Sequence, residues 1–288
     1  MIREPAVAGA FYPAEPGRLT ALVARVLAAA NRPALDRALV GLLVPHAGLV
    51  YSGVVAAAGW HGVGMSWPDA PVTVVLLGTN HGAGWLDGVA AWGPGAWRTP
   101  LGDVAIDADL TEAILALGPP FTVDPEAHLG EHSLEVQLPI LQTVAPQARI
   151  VPLAVSTGTG ADAVAAGARL GDLLARRRAA GYPVVLGISS DMAHYPAAAA
   201  CAQATVDQLP PILDLDPTAL AATEAALVAR GTPGLLCGMC GIEPAILGVS
   251  ALRVMRAGRG TALAAATSAD AGGPADRTVG YLSVAWTA

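Results

Sequence analysis

Six histidines, three cysteines and a handful of carboxylates carry most of the chemistry open to this sequence. Several of them stand in one kind of place. His46 follows an apolar run in "LLVPHAG". His81 follows another in "VVLLGTNHG". Ser189, Ser190, Asp191 and His194 follow a third in "VVLGISSDMAHY". In open α/β sheets, ligands bind beyond the carboxyl ends of the strands. Three apolar runs that deliver imidazole or carboxylate there point to a shared site. Neutral imidazole is the commonest side-chain metal ligand, so two of them at neighbouring strand ends begin a metal site. A third ligand is needed, and its type selects the metal. Asp191, Glu131, Glu243 and Cys240 are the candidates.

Cys237 and Cys240, in "LLCGMCGIEP", are three apart. That spacing suits half a structural zinc site, a redox pair or a chance pair of small hydrophobes before a helix. No second such pair exists, which excludes a four-cysteine zinc site. A thiolate aimed at a metal from this turn is the favoured reading. In "GEHSLEVQLPIL", Glu131, His132 and Ser133 open a helical pattern. They read either as N-terminal caps or, for Glu131 and His132, as proton carriers or ligand-orienting partners at the site rim. His61 and His128 lack such a context and read as surface residues. Ser189, Ser190, Asp191 and His194 invite comparison with a serine triad, but no nucleophile elbow of the G-x-S-x-G kind accompanies them.

The elements that must position these groups are legible in the apolar pattern. Apolar β-like runs occupy 40–44, 72–77, 150–155, 184–188, 262–267 and 279–285. Helical patterns occupy about 18–30, 53–60, 108–117, 133–144, 161–179, 217–230 and 244–256. Near-continuous apolar strands alternating with helices imply a mainly parallel sheet covered on both faces, a three-layer α/β/α architecture. Residues 88–106, with Trp, Gly and Pro, read as a hairpin or loop excursion. The short Gly- and Pro-rich loops favour one domain over residues 1–288.

Composition bounds the function. The chain is 53% hydrophobic and 14% charged, with a formal net charge of −7. No basic stripe is available to neutralise phosphates, which argues against nucleic acid; "RRR" at 176–178 reads as a solvated helix end. Every basic residue is arginine, which excludes lysine Schiff-base chemistry and a P-loop lysine. The start shows no signal-peptide pattern. The uncharged stretch from Ala38 to Pro68 is broken by Pro45, His46, Ser52, His61 and glycines, so it reads as strand, turn and helix rather than a membrane span. A cytoplasmic protein with no membrane association is expected.

Taken in order, "REPAVAGAFYPA", "PHAGLVYSG", "LGTNHG", "WRTPLGDVAID", "EHSLEVQLPIL", "SSDMAHY" and "CGIEP" resemble the Memo family, whose prokaryotic members are called AmmeMemoRadiSam system protein B. The resemblance runs nearly end to end. It implies a fold similar to that of class III extradiol dioxygenases, with a metal pocket at the strand ends. By resemblance, His46, His81 and Cys240 match the family's metal ligands, and Asp191 and His194 lie beside the metal. Leu49, Thr79 and Pro196 depart from the family's usual aromatic, proline and glycine.

Three functional expectations follow. The first is a non-haem Fe(II) enzyme that activates O2 on a small, catechol-like aromatic. His194 would serve as general base and then acid, and Asp191 would orient a histidine or fix its tautomer. The second is a metal-binding protein that recognises a peptide or protein partner without turnover; Tyr51, Trp85, Trp92, Trp97 and Tyr195 could line its groove. A thiolate in place of the dioxygenases' carboxylate favours copper or zinc more than a carboxylate would. The third is a zinc-dependent hydrolase. A homodimer is also expected.

Overall fold

The computed structural model describes residues 1–67 and 70–288; Pro68, the end of the uncharged stretch, lies outside them. In chain order the elements are β1 (Ile2–Arg3), α1 (Pro16–Ala29), β2 (Leu39–Val44), α2 (Leu49–Ser66), β3 (Thr73–Thr79), β4 (Gly88–Ala91), β5 (Ala96–Thr99), β6 (Gly102–Ala105), α3 (Ala108–Leu115), β7 (Phe121–Val123), α4 (Leu138–Val144), β8 (Arg149–Ser156), α5 (Ala161–Ala179), β9 (Val184–Ser189), α6 (Ala198–Leu213), α7 (Pro217–Ala229), α8 (Ile242–Val254), β10 (Thr261–Thr267) and β11 (Gly280–Thr287).

The main sheet runs β10-β11-β2-β9-β3-β8-β4-β7. Its centre, β2-β9-β3-β8, is parallel. An antiparallel pair, β10 and β11, borders β2, and β4 runs antiparallel to β8. Every residue of β2 and β9 is buried, as continuous apolar runs in a doubly covered sheet require. Alternate residues face opposite layers. Leu43, Val75, Leu77, Leu186 and Ile188 pack with α3, α5 and α8. Leu42, Val44, Val74, Leu76 and Val185 pack with α1, α2 and α4. The architecture is therefore α/β/α with a mostly parallel core. Among the described residues, no helix is long and apolar enough to cross a membrane.

Several expectations need correction. The helix expected at 53–60 extends over Leu49–Ser66, because its Gly, Ala and Val residues are buried nearly all round and show little amphipathic period. The helix expected at 133–144 splits into a 3-10 turn, Glu135–Gln137, and α4, which starts at Leu138 with Pro139 in its first turn, the position proline favours. Helix α6 was not anticipated; Pro210 and Pro211 interrupt its pattern near its end. Within 88–106, β5 and β6 do form a hairpin, and β1 joins it to make a small separate sheet. Strand β4, in contrast, belongs to the main sheet.

His61 and His128 are not surface residues. His61 lies on the face of α2 that packs on α1, with Nε2 3.0 Å from the Leu27 carbonyl. His128 is fully buried, with Nε2 3.0 Å from the Ala90 carbonyl and its ring edge-to-face with both Trp92 and Trp97. Those tryptophans are themselves at 1% and 0% exposure, so neither can line a groove.

Two predictions follow from this packing. A Cβ on Gly171 of α5 would collide with the Ala251 carbonyl of α8. Gly171→Ala should therefore destabilise the protein by about 1–3 kcal/mol, even though alanine normally favours a helix; urea titration with an unchanged m-value would show it. Burial lowers the His128 pKa to about 4, with the Arg3 charge helping and the Ala90 hydrogen bond opposing. The unfolded chain therefore takes up this proton first. Stability is lost as pH falls from about 6.5 to about 4, by roughly 3 kcal/mol for this group. His128→Phe keeps the ring packing and should show a smaller stability difference between pH 7 and pH 4.5; an equal difference would exclude this histidine as the source.

Candidate metal centre

The parallel order β2-β9-β3 brings the ends of three strands together, with Val44 and Gly78 both paired to Ser189. Beyond these ends the backbone N–H groups have no neighbouring strand and need other acceptors. Asp191 supplies one. Its Oδ1 accepts the N–H of His46 at 2.7 Å and that of Ala47 at 3.1 Å. Burial raises its pKa to about 7 against the pull of these two N–H groups. Glu131 supplies the other. Its carboxylate accepts the His81 N–H at 2.7 Å and His81 Nδ1 at 2.9 Å, and also the N–H groups of His132 and Ser133 at 2.8 and 2.7 Å. Burial opposes ionisation here, but the His81 ring and these N–H groups outweigh it and bring the Glu131 pKa to about 2.

The tautomer of His46 follows from counting hydrogens. Ser189 Oγ lies 2.6 Å from the Ser133 carbonyl, which can only accept, so the single hydroxyl hydrogen goes there. Toward His46 Nδ1, at 3.0 Å, and Gln137 Nε2, at 2.9 Å, the same oxygen must accept. Nδ1 of His46 therefore carries the hydrogen, and Nε2 presents its lone pair. Burial first, and then the imidazoles of His132 and His81, hold the His46 pKa well below its ordinary value, so the ring is neutral. At His81 the Glu131 carboxylate likewise takes the Nδ1 hydrogen and leaves Nε2 as the donor atom.

Cys240 reaches the same point from the turn before α8. Its N–H bonds to the Asp191 carbonyl at 3.2 Å, and the Gly241 N–H to Ser190 Oγ at 2.9 Å. A Cβ on Gly241 would stand 2.6 Å from Ser190 Cβ, so only glycine lets the turn lie this close to the end of β9. Cys240 Sγ is 3.2 Å from His46 Nε2. Donor atoms of His46, His81 and Cys240 all lie within 4.8 Å of one another. Bond lengths of about 2.0–2.1 Å to nitrogen and 2.3 Å to sulfur are normal around a tetrahedral ion, and donors so arranged suit them. Burial, reinforced by the Asp191 carboxylate, pushes the Cys240 thiol well above its ordinary value, so a cation is what would favour its thiolate.

The remaining candidates separate. Asp191 holds His46 by its backbone, not its ring; the ring's partner is Ser189, contrary to the tautomer role expected of Asp191. Glu243 turns away and accepts the Thr157 N–H at 2.7 Å, so it does not supply a carboxylate here. His132 stacks on His81 with centroids 4.4 Å apart, and burial lowers its pKa to about 4. With His81 and Glu131 it forms a second close set of donor atoms. His194 directs Nδ1 to the Met192 carbonyl at 2.9 Å, leaving Nε2 as its free lone pair, and burial lowers its pKa. Cys237 Sγ lies 3.6 Å from that same Nδ1. Of the aromatics expected at a groove, Tyr51 and Trp85 are exposed, and Tyr195 is half-buried beneath the Arg277 guanidinium. Ser189 does not serve His194, which removes the serine-triad arrangement. Gln137, which ties Ser189 to the Pro45 carbonyl and to Trp60, escaped the sequence reading because a lone glutamine in a helical pattern carries no signal.

A family model described as "Memo-like protein" matches residues 3–285. A MEMO1 family protein of Methanothermobacter thermautotrophicus is 34% identical over 290 residues, covering 98% of this chain and 99% of that protein. One from Ignicoccus hospitalis is 34% identical over 293 residues, covering 99% and 98%. One from Aquifex aeolicus is 34% identical over 284 residues, covering 98% of each.

The hydrogen count at Ser189 is open to test. Nitrogen-15 imidazole spectra of the metal-free protein should report His46 and His81 as Nδ1–H tautomers. Ser189→Ala should release the His46 tautomer alone and destabilise the fold by about 1–3 kcal/mol, the penalty for partners left unsatisfied. A His46 spectrum unchanged in Ser189→Ala would refute the assignment.

Proposed function

Because the chain belongs to the Memo-like protein family, we propose that it is a metal-dependent oxygenase-type enzyme. In this reading His46, His81 and Cys240 hold one Fe(II), and the substrates are a small catechol-like aromatic and O2. The observation that carries it is the convergence of two imidazole Nε2 lone pairs and a thiol from three separate elements, each nitrogen already set by a hydrogen bond on its far side. Ligand sets of this size leave coordination positions open for substrate. Iron held there would supply Lewis-acid activation and a place for O2 beside the substrate oxygens.

The chain's own groups supply the rest. His194, neutral and with its Nε2 lone pair available, accepts a proton from a substrate hydroxyl and can return it later, since the burial that lowers its pKa makes the imidazolium a ready donor. Asp191 keeps the His46 backbone in place, and Glu131 keeps His81 turned toward the site. His132 forms a wall against His81 and is a second proton carrier. Helix α2 opens directly after His46 and bears exposed Val50 and Tyr51, an apolar margin that suits an aromatic ligand.

One feature favours a second reading. Sulfur replaces the dioxygenases' carboxylate, and a thiolate is a softer ligand suited to copper(I) or zinc. A metal-handling or partner-binding protein without turnover would use the same three residues. Elemental analysis of protein purified without nickel, followed by O2 uptake with a panel of catechols, separates the readings. The oxygenase reading expects one iron per chain and substrate-dependent uptake. His46→Ala, His81→Ala and Cys240→Ala should each abolish stoichiometric iron. Stoichiometric metal without uptake would favour the second reading, and zinc with ester or amide hydrolysis would favour a hydrolase.

A further inference from the structure

We propose that Arg3, on β1, is a positioning residue for His81, acting through Glu131 in the connection between β7 and α4. The guanidinium is wholly buried. Its Nε donates to the His128 carbonyl at 2.7 Å, its Nη2 to the Glu131 carbonyl at 2.6 Å and its Nη1 to Glu135 Oε2 at 2.6 Å. Its plane sits 4.2 Å over the Trp97 ring. Two of its three hydrogen bonds thus go to the loop between His128 and Glu131. Leu129 and Gly130 in that loop are exposed, so the loop is gripped from its inner side. The grip determines where the Glu131 carboxylate stands, and that carboxylate holds both the N–H and the Nδ1 of His81.

The third bond anchors the grip. Glu135 also accepts the N–H groups of Ala6 and Val7 at 2.8 and 3.0 Å and the Tyr12 hydroxyl at 2.5 Å. A buried charge pair of this kind is expensive to desolvate and stands only when its remaining hydrogen-bonding capacity is filled, as it is here. Arginine alone has a rigid fork with enough N–H groups to reach two carbonyls and a carboxylate at once. Lysine can keep the charge beside Glu135 but cannot span all three acceptors. The opening motif of the sequence, "REPAVAGAFYPA", thereby gains a physical role that composition and spacing do not reveal: it is the strap that sets one arm of the metal centre.

The effect on metal rests on the metal-centre reading; the effect on His81 does not, and the experiment keeps them apart. Arg3→Lys, Arg3→Met and Tyr12→Phe are compared as full-length protein. Tyr12→Phe loses a bond to the same Glu135 but leaves the His128–Glu131 loop untouched. In metal-free protein, nitrogen-15 spectra should show the His81 tautomer released in both Arg3 variants, with His46 unchanged. Cobalt(II) titration, followed by the thiolate-to-cobalt absorption band, should show about 10- to 100-fold weaker binding in Arg3→Lys, the usual effect of removing a ligand's supporting partners. Tyr12→Phe should stay within about twofold of the parent, well below that range. Where Arg3→Met does not fold, Arg3→Lys carries the decision. The proposal is overturned if folded Arg3 variants keep the His81 tautomer, or if Tyr12→Phe changes His81 as much as they do. A parent protein that takes no cobalt would defeat the metal reading while leaving the His81 comparison decisive.

Discussion

Parallel strands that stop at a common edge leave backbone N–H groups with nothing to bond, and the whole centre depends on how those groups are satisfied. Buried N–H groups must find acceptors. Here they find two carboxylates, Asp191 beyond β9 and Glu131 beyond the loop that follows β7. Each carboxylate pins the backbone of a histidine. A carboxylate that accepts several N–H groups is a strong, directional clamp, and it fixes the backbone of His46 and His81 where the strands end. Their ring nitrogens come within reach of Cys240 as a consequence of that clamping.

Fixed positive charge is kept out of the cluster. Glu131 is ionised and surrounded by N–H donors, whereas Asp191 sits near the middle of the pH scale because burial opposes its charge. His46, His132 and His194 are all driven toward the neutral form by burial. Cys240 is driven toward the neutral thiol. The result is a pocket rich in lone pairs and poor in fixed positive charge, an environment suited to a cation. Glu243 is bonded to the Thr157 N–H instead and adds no charge to this cluster.

The strand ends were legible because a buried strand is a continuous apolar run, and a histidine or aspartate that interrupts it stands out. The runs at 40–44, 72–77 and 184–188 matched β2, β3 and β9 within one or two residues at each end. His61 and His128 were misjudged because a buried histidine satisfied by a carbonyl leaves no pattern in its neighbours; Leu27 and Ala90, the partners, lie 34 and 38 residues away. Arg3 gave no warning either, since its acceptors lie 125 to 132 residues further along the chain.

Sequence alone determined the covered parallel sheet, the polar residues at its carboxyl edge and the family, because periodicity and motif order are local properties. Tertiary structure decided which partner each of those residues meets. The two-residue repeat of β9 turns Ser189 toward the α4 side, where Ser133 and Gln137 fix its hydroxyl, while Ser190 meets Gly241 ahead of α8. Asp191 then takes the backbone of His46 in place of its ring. Those choices depend on strand order and on which helix covers which face, and such relations exist only once distant segments have packed.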